Sequence, residues 1–357
     1  MSRADRVARR LGEREADVLL VTDLLNVRYL TGFTGSSAMA VVGPELRRFI
    51  TDFRYVERAR AEVDGFDQER APQEFATALA EGWPEGPFRL GFEDHHVSVR
   101  QHARLRELLP ERVELVAAGG LVEAERAVKE PAEVAAIRAA AALADEIYAW
   151  VMEQGVVGRT ERAVALALEE EMRRRGARGP SFPSIVASAE HGALPHAEPR
   201  DVAIRPDVLV TLDLGVQLDG YCSDCTRTWA TGELPDDLAA IYDLVLRAQE
   251  TALGAVRAGP TGREVDAVAR DLIAAEGHGE HFGHGLGHGV GLEVHEAPRL
   301  SRSAADDPLA AGNVVTVEPG VYIPGRGGVR IEDLVVVTDD GCDVLSATPK
   351  ALTTVGA

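Results

Sequence analysis

Apolar and polar positions follow two patterns over the first part of the chain. Short apolar runs, which predict strands, occur at 18–21, 38–42, 49–51 and 113–116. Stretches with helical periodicity lie among these runs, at 53–63 and 98–109. Strands interspersed with helices in this way are typical of a small α/β domain.

The pattern changes near residue 124. Gly119 and Gly120 interrupt the alternation, and a long helical pattern then opens at Lys129-Glu130-Pro131, with Pro near its first turn. We therefore predict two domains, residues 1–124 and 125–357. The length of 357 residues supports this division, because single hydrophobic cores stop growing at roughly 250–300 residues.

Two helical patterns in the second part repeat each other. One begins at Thr160 and runs to Gly176, and the other begins at Thr261 and runs to Gly277. In both, Thr can cap the free N–H groups of the first turn, and Gly can adopt the left-handed conformation that ends a helix. A long helix precedes each copy, at 131–154 in the first half and at 236–258 in the second. A pair of strands follows each copy, at 208–216 and 221–229 in the first half and at 314–318 and 328–337 in the second. This duplication predicts an internal two-fold.

Each strand pair carries two carboxylates. The first pair contains Asp213 and Asp224, and the second contains Glu318 and Glu332. An internal two-fold would bring the two hairpins face to face, with the four carboxylates directed at one centre. Alternation along the strand 328–337 places Arg330 on the same face as Glu332, beside that centre.

A segment rich in histidine and glycine supplies a nitrogen ligand. Residues 281–298 contain four histidines and five glycines, a composition that fits neither a routine helix nor a routine strand. One of these histidines is His288. Four carboxylates with a single imidazole suit a pair of hydrated divalent cations, and such a pair serves hydrolysis. The sequence therefore predicts a two-metal hydrolase.

Composition excludes several other classes of function. The net charge of −20 argues against nucleic acid and anionic membranes as partners. Lys129 and Lys350 are the only lysines, so lysine-based chemistry has almost no candidate. Three cysteines are too few for a disulfide framework, and with no visible secretory signal we expect a cytoplasmic location. In an extended strand Cys222 and Cys225 would diverge, with Asp224 on the face of Cys222, so their spacing does not predict zinc.

Several motifs resemble one known family, the pita-bread metallopeptidases in the branch of aminopeptidase P and prolidase. The resemblance covers essentially the whole chain. It implies an α/β N-terminal creatinase-like domain, followed by an α+β C-terminal pita-bread domain with an internal pseudo-two-fold repeat. The motifs are Asn26-x-x-Tyr29-Leu30-Thr31-Gly32-Phe33, Lys129-Glu130-Pro131-Ala132-Glu133, Asp213 with Asp224-x-Thr226-Arg227-Thr228, His284-x-x-x-His288, Val294-His295-Glu296, Glu318-Pro319-Gly320 and Arg330-Ile331-Glu332-Asp333.

The resemblance also implies roles for the metal ligands. Asp213 would bind one metal ion, His288 and Glu318 would bind the other, and Asp224 and Glu332 would bridge both. A hydroxide bridging the two ions would attack the scissile carbonyl. Oxygen ligands outnumber nitrogen, which favours Mn²⁺, with Co²⁺ or Zn²⁺ as alternatives.

Further side chains receive catalytic roles from the same resemblance. Glu318 would also take and return a proton, and His295 would support the developing oxyanion. His196 would face the proline side of the substrate, and His284 would be a further active-site histidine. Arg330 would orient the acidic ligands.

The predicted activity is cleavage of the bond between an N-terminal residue and proline. We favour an Xaa-Pro aminopeptidase acting on longer peptides, with an Xaa-Pro dipeptidase as the alternative. Three other activities of this fold fit the sequence less well. Methionine aminopeptidase shares the five ligands but generally lacks the N-terminal domain, and creatinase works without metals. Peptide-binding modules of this fold have lost ligands, whereas this chain has all five. The family also implies a homodimer.

Overall fold

The computed structural model describes residues 1–71 and 74–356 of the chain. These residues form two compact units, which divide between Arg126 and Ala127. Within the described part, no helix combines the length and the apolar character that crossing a membrane requires.

A six-stranded mixed sheet forms the centre of the first unit, in the order β4-β3-β2-β1-β5-β6. β2 runs antiparallel to β1 and β3, whereas the β1–β5, β5–β6 and β3–β4 pairs are parallel. The strands are β1 (Val18–Val21), β2 (Ala38–Val42), β3 (Arg47–Thr51), β4 (Asp67–Arg70), β5 (Phe88–Phe92) and β6 (Val113–Ala117). The helices are α1 (Arg3–Arg10), α2 (Leu24–Thr31), α3 (Val56–Glu62), α4 (Val99–Leu108) and α5 (Leu121–Ala127), with 3₁₀ turns at Leu11–Arg14 and Phe75–Leu79.

The α/β character predicted for this unit is confirmed, although two strands were not predicted. β4 lies at the edge of the sheet, and its residues are mostly exposed and polar, so it has no apolar run. β5 contains Gly91, where a Cβ would press against the side chains of Ala118 and Ala16. Glycine weakens the apolar pattern of a strand even where the backbone needs it for close packing.

Four helices carry the repeat in the second unit: α6 (Pro131–Gln154), α7 (Glu161–Arg174), α8 (Asp236–Leu253) and α9 (Gly262–Ala275). The caps explain where the repeated pair begins. The Thr160 hydroxyl accepts a hydrogen bond from the N–H of Ala163 before α7, and Thr261 forms a capping box with Glu264 before α9. The predicted repeat of helices is therefore confirmed.

Thirteen strands of the second unit are described, and they form four sheets. The orders are β11-β10-β7, β12-β9-β8, β14-β13-β15-β18-β19 and β16-β17. Two further 3₁₀ turns lie at Ala189–Ala193 and Gly279–His281. The strands are β7 (Gly179–Pro180), β8 (Ile185–Ser188), β9 (Leu209–Leu214), β10 (Val216–Leu218), β11 (Tyr221–Cys222), β12 (Cys225–Ala230), β13 (Gly287–Gly289), β14 (Glu296–Leu300), β15 (Val314–Val317), β16 (Gly320–Ile323), β17 (Gly327–Arg330), β18 (Asp333–Val337) and β19 (Cys342–Val344).

The predicted strands 221–229 and 328–337 are each interrupted at a carboxylate. The first breaks between β11 and β12, at Ser223 and Asp224, and the second breaks between β17 and β18, at Ile331 and Glu332. At each break the chain changes its pairing partner: β11 pairs with β10 but β12 with β9, and β17 pairs with β16 but β18 with β15. The prediction of two continuous strands is therefore wrong, although Arg330 does lie beside the carboxylates as alternation predicted, 2.7 Å from Asp213.

Each half of the second unit has its own hydrophobic core. In the first half Ile147 of α6 and Leu168 of α7 belong to one cluster with Leu212 of β9. In the second half Val245 of α8 and Val265 of α9 belong to another, with Val315 and Val335 from β15 and β18. The two helix pairs thus each support a pair of strands whose ends carry the carboxylates.

Candidate metal centre

Three carboxylates meet between the two halves of the second unit. Oxygen atoms of Asp213, Asp224 and Glu332 all lie within 4.8 Å of one another. All three side chains are buried. Asp213 is in β9, whereas Asp224 and Glu332 occupy the strand breaks. The breaks free these two side chains from strand alternation, so both can turn toward Asp213.

His288 and Glu318 complete the cluster. His288 Nε2 lies 3.6 Å from Asp224 Oδ2 and 3.3 Å from Glu318 Oε1. The other ring nitrogen, Nδ1, is 3.1 Å from the carbonyl oxygen of Gly289. Because a carbonyl only accepts, Nδ1 carries the proton in this contact, which leaves Nε2 directed at the carboxylates. This is the orientation of an imidazole that ligates through Nε2.

The cluster carries more negative charge than its surroundings compensate. Burial raises the pKa of Asp224 well above its usual range, and the charges of Glu332 and Asp213 add to the effect. Burial also raises the pKa of Glu332, assisted by the charges of Glu318 and Asp213. Like charges in a low-dielectric site thus disfavour the ionised forms of Asp224 and Glu332. A bound cation would reverse this preference.

Glu318 and His288 shift each other's pKa in opposite directions. Burial acts to raise the pKa of Glu318, but the hydrogen bond and charge of His288 outweigh it and lower that pKa to about 2. Burial likewise acts to lower the pKa of His288, but the hydrogen bond and charge of Glu318 raise it. Glu318 is therefore the most readily ionised carboxyl group of the cluster.

Two carboxylate oxygens in this cluster are buried without any hydrogen bond. They are Asp213 Oδ1 and Glu332 Oε1. The second oxygen of each group is held: Asp213 Oδ2 accepts a hydrogen bond from Arg330 at 2.7 Å, and Glu332 Oε2 accepts one from the Thr226 hydroxyl at 2.8 Å. Buried polar atoms normally have partners. Unsatisfied oxygens in an oxygen-rich cluster with one imidazole therefore fit divalent cations.

Arg330 links the cluster to its surroundings. Besides bonding to Asp213, it donates from Nε to the Thr226 hydroxyl at 2.9 Å and from Nη1 to the Pro195 carbonyl and the Tyr322 hydroxyl, at 3.1 and 2.9 Å. Thr226 in turn donates to Glu332. Arg330 thus contacts one carboxylate directly and a second one through a single hydroxyl.

A cavity of about 820 Å³ opens onto the cluster. His196, His284 and His295 all line it, together with Asp213, Asp224, His288, Glu318 and Arg330. The imidazole of His295 packs edge-to-face on that of His288, with 4.3 Å between the ring centroids. Every residue proposed from the sequence as catalytic or metal-binding, except Glu332, therefore contributes to the cavity wall, and Glu332 lies directly behind it.

The surroundings of His284 define its protonation. Its Nδ1 lies 2.7 Å from the Gly285 carbonyl and therefore donates, so its Nε2 accepts from the Tyr322 hydroxyl at 2.9 Å. Burial lowers the pKa of His284, and the charge of Arg330 contributes in the same direction. Tyr322 bridges His284 and Arg330, because its oxygen also accepts from Arg330.

Sequence reasoning did not single out three side chains at this site. Tyr322 follows Glu318-Pro319-Gly320 and had no pattern to distinguish it. Thr226 lies within the Asp224-x-Thr226 motif, but its shared hydrogen bonds depend on a partner more than a hundred residues away. Arg299 lines the cavity, and the sequence feature that could have indicated this is its position four residues after His295.

The histidines without an assigned role differ among themselves. His278 and His281 contact each other beside α9, with 3.1 Å between their Nδ1 atoms, and do not line the cavity. His191 lies in a 3₁₀ turn, where 8% of its side chain is exposed and its Nδ1 is 2.9 Å from Glu161 Oε2.

Comparison with known proteins agrees with this architecture. The family model described as metallopeptidase family M24 matches residues 135–339, and the creatinase/prolidase N-terminal domain matches residues 3–128. A Xaa-Pro dipeptidase of Pyrococcus horikoshii is 35% identical, over 96% of each chain. The structure of a Xaa-Pro dipeptidase from Bacillus anthracis matches with a TM-score of 0.95 and 39% identity, covering 99% of both chains. That of an X-Pro aminopeptidase from Thermotoga maritima matches with a TM-score of 0.88 and 33% identity, covering 97% of this chain and 100% of that one. This chain belongs to metallopeptidase family M24.

Proposed function

We propose that this protein is a metal-dependent peptidase that hydrolyses Xaa-Pro dipeptides. The observation that carries the proposal is the convergence of four carboxylates and His288 at the wall of a cavity, with Asp213 Oδ1 and Glu332 Oε1 buried and unsatisfied. The Xaa-Pro specificity rests on similarity to family members with that activity.

The ligand set supports two cations. Asp213 would hold one, His288 with Glu318 would hold the other, and Asp224 with Glu332 would contact both. The short distances from His288 to Asp224 and Glu318 support the second group. An oxygen-rich set favours Mn²⁺ or Co²⁺ over a dedicated zinc site. When bound, the cations would polarise the scissile carbonyl and lower the pKa of water.

The remaining chemistry belongs to side chains of the cavity. Glu318 would accept a proton from the attacking water and pass it to the proline nitrogen, because its carboxylate lines the cavity beside His288. His295 would donate a hydrogen bond to the oxyanion that forms from the carbonyl. His196 would contact the proline side of the substrate. Arg330 would hold Asp213 and, through Thr226, Glu332 in position.

Arg299 supports a dipeptidase more than an aminopeptidase. In an Xaa-Pro dipeptide the C-terminal carboxylate follows directly after the scissile bond, whereas a longer peptide has a neutral amide there. Arg299 lines the cavity. Its positive charge acts on His295: burial and the charge of His288 lower the pKa of His295, and the charge of Arg299 lowers it further. A guanidinium is suited to bind a carboxylate through two parallel hydrogen bonds. The sequence alone had favoured the aminopeptidase.

The test offers Ala-Pro and Ala-Pro-Ala in parallel to Mn²⁺-loaded protein. We expect hydrolysis of Ala-Pro and little release of Pro-Ala. Replacing Arg299 with Leu should raise KM for Ala-Pro about 10–100-fold, because a charged hydrogen bond contributes about 1.5–3 kcal/mol. The control is Arg302→Leu, an exposed arginine nearby that does not line the cavity. Release of Pro-Ala at a rate comparable with Ala-Pro hydrolysis would point to an aminopeptidase. An unchanged KM in Arg299→Leu would show that Arg299 does not bind the substrate carboxylate.

A further inference from the structure

One buried carboxylate outside the cavity holds both ends of a cavity-lining loop. The side chain of Glu161, the first residue of α7, is completely buried. Its carboxylate accepts from the Ser188 N–H and hydroxyl at 2.9 and 2.8 Å, and from the Arg200 N–H, Nε and Nη2, each at 3.1 Å. His191 Nδ1 lies 2.9 Å away. Ser188 and Arg200 bound a segment that we term the 188–200 loop.

The middle of the 188–200 loop reaches the proposed active site. His196 lines the cavity, and the carbonyl of Pro195 accepts a hydrogen bond from Arg330 at 3.1 Å. The loop has little regular structure, since it contains only the 3₁₀ turn Ala189–Ala193 among its described residues. Its geometry therefore depends on where its ends are fixed, and both ends are fixed to the same carboxylate.

The charge of Glu161 suits this task. Burial acts to raise its pKa, but hydrogen bonds from Arg200 and Ser188 outweigh burial and lower the pKa to about 2. The carboxylate is therefore ionised at neutral pH and accepts from all its donors. Hydrogen bonds to a charged group are roughly twice as strong as those between neutral groups.

The internal repeat shows that starting the helix does not require this carboxylate. Thr160 and Thr261 are equivalent N-caps, so Glu161 corresponds to Gly262 in the second copy. Helix α9 begins normally with glycine at that position. Removing one partner from a buried ionic network is costly, whereas an apolar replacement of the whole network is often neutral. The hydrogen bonds of Glu161 are thus better explained by the 188–200 loop that they fix than by a role in starting helix α7.

We propose that Glu161 is a positioning residue that fixes the 188–200 loop and thereby places His196 against the substrate. The proposal rests on the proposed function, in which His196 contacts the proline side. Glu161 itself touches neither the cavity nor any proposed metal ligand.

The decisive variant is Glu161→Gln, which preserves volume but removes the charge and turns one acceptor into a donor. The matched control is Glu171→Gln in the same helix, because Glu171 is also buried but pairs with Arg174 and Arg175, away from the loop. Misplaced contact groups commonly cost about 10²-fold in rate. We expect kcat/KM for Ala-Pro to fall about 10–100-fold in Glu161→Gln, with unchanged metal content, and to remain at the wild-type value in the control.

A double-variant cycle separates positioning from general destabilisation. If Glu161 acts through His196, Glu161→Gln should have no further effect in a His196→Ala background. Effects that multiply would overturn the proposal, because they would mean that Glu161 acts independently of His196. A Glu161→Gln enzyme with wild-type kcat/KM would also overturn it.

Amide hydrogen exchange supplies a readout that does not depend on turnover. The N–H groups of Ser188 and Arg200 should exchange faster in Glu161→Gln than in the control, because both donate to Glu161. If His196→Ala retains full activity, the role of His196 in the proposed function fails, while exchange still reports whether Glu161 holds the loop. Should Glu161→Gln not fold, Arg200→Gln removes two donors from a half-exposed side chain and should show the same pattern more weakly.

Discussion

Replacing Thr226 with Val tests how the candidate metal centre is supported. The substitution keeps the branched shape and removes only the hydroxyl. That hydroxyl donates to Glu332 Oε2 at 2.8 Å and accepts from Arg330 Nε at 2.9 Å. Glu332 would then have two buried oxygens without a protein hydrogen bond, since Oε1 already has none.

The expected cost follows from these two lost hydrogen bonds. Leaving a buried group unsatisfied costs about 1–3 kcal/mol, so the two together should lower the free energy of unfolding of metal-free protein by about 2–6 kcal/mol. Metal affinity should fall about 10–100-fold, as is typical when a partner that orients a ligand is removed. The control is Thr211→Val, where one contact between two hydroxyls, 3.0 Å long, is lost with Thr228 at a cost of about 1 kcal/mol.

Urea unfolding of the metal-free proteins and calorimetric titration with Mn²⁺ measure the two quantities separately. The reasoning predicts that Thr226→Val differs from Thr211→Val in both experiments. If the two variants have equal unfolding free energies and equal Mn²⁺ affinities, the Thr226 hydroxyl does not orient Glu332, and the proposed support of the centre is refuted.

Two further predictions concern buried charges. Lys129→Met should lower the free energy of unfolding by about 3–5 kcal/mol, because Glu296 loses the ammonium group 3.1 Å away in a buried ion pair. Urea titration measures this loss, and adding Glu296→Gln should restore part of it. The stability contributed by Glu161 should be fully present above its ordinary pKa of 4.5 and be lost as pH falls toward its folded pKa of about 2. The free energy of unfolding should therefore be measured for wild type and Glu161→Gln between pH 3 and 7. The difference between the two proteins should shrink at the acidic end, and a difference that stays constant with pH would contradict this assignment.

Local signals predicted the repeated helices and several strands, but not β8, β13, β14 or β16, although β13 carries His288. Thr160 and Thr261 cap their helices as expected, because capping depends only on the first turn of the helix. The apolar runs of β1, β2 and β3 predicted strands, because an apolar run is also a local feature of the sequence. The edge strand β4 escaped prediction because backbone pairing with β3, rather than an apolar pattern, holds it in the sheet.

The candidate site was predictable as a set of residues but not as a geometry. Asp213, Asp224, His288, Glu318 and Glu332 were selected by their chemistry and by the repeat, and the structure brings them together. Their convergence was predicted from the internal two-fold, but the strand breaks at Asp224 and Glu332, where the chain changes sheets, were not predicted. Sheet changes depend on which strands pair, and pairing is decided by contacts between distant segments.

The sequence by itself determined the family, the two-part architecture, the starts of α7 and α9 and the chemical types of the candidate ligands, because these depend on residue identity and short-range order. Only the tertiary structure decided that Thr226 and Tyr322 connect Arg330 to the centre, that Arg299 reaches the cavity and that Glu161 holds both ends of the 188–200 loop. Each of these contacts joins residues that are far apart in the chain or in different elements. A hydrogen bond needs its two atoms within about 3 Å, and only the packing of the folded chain brings them that close.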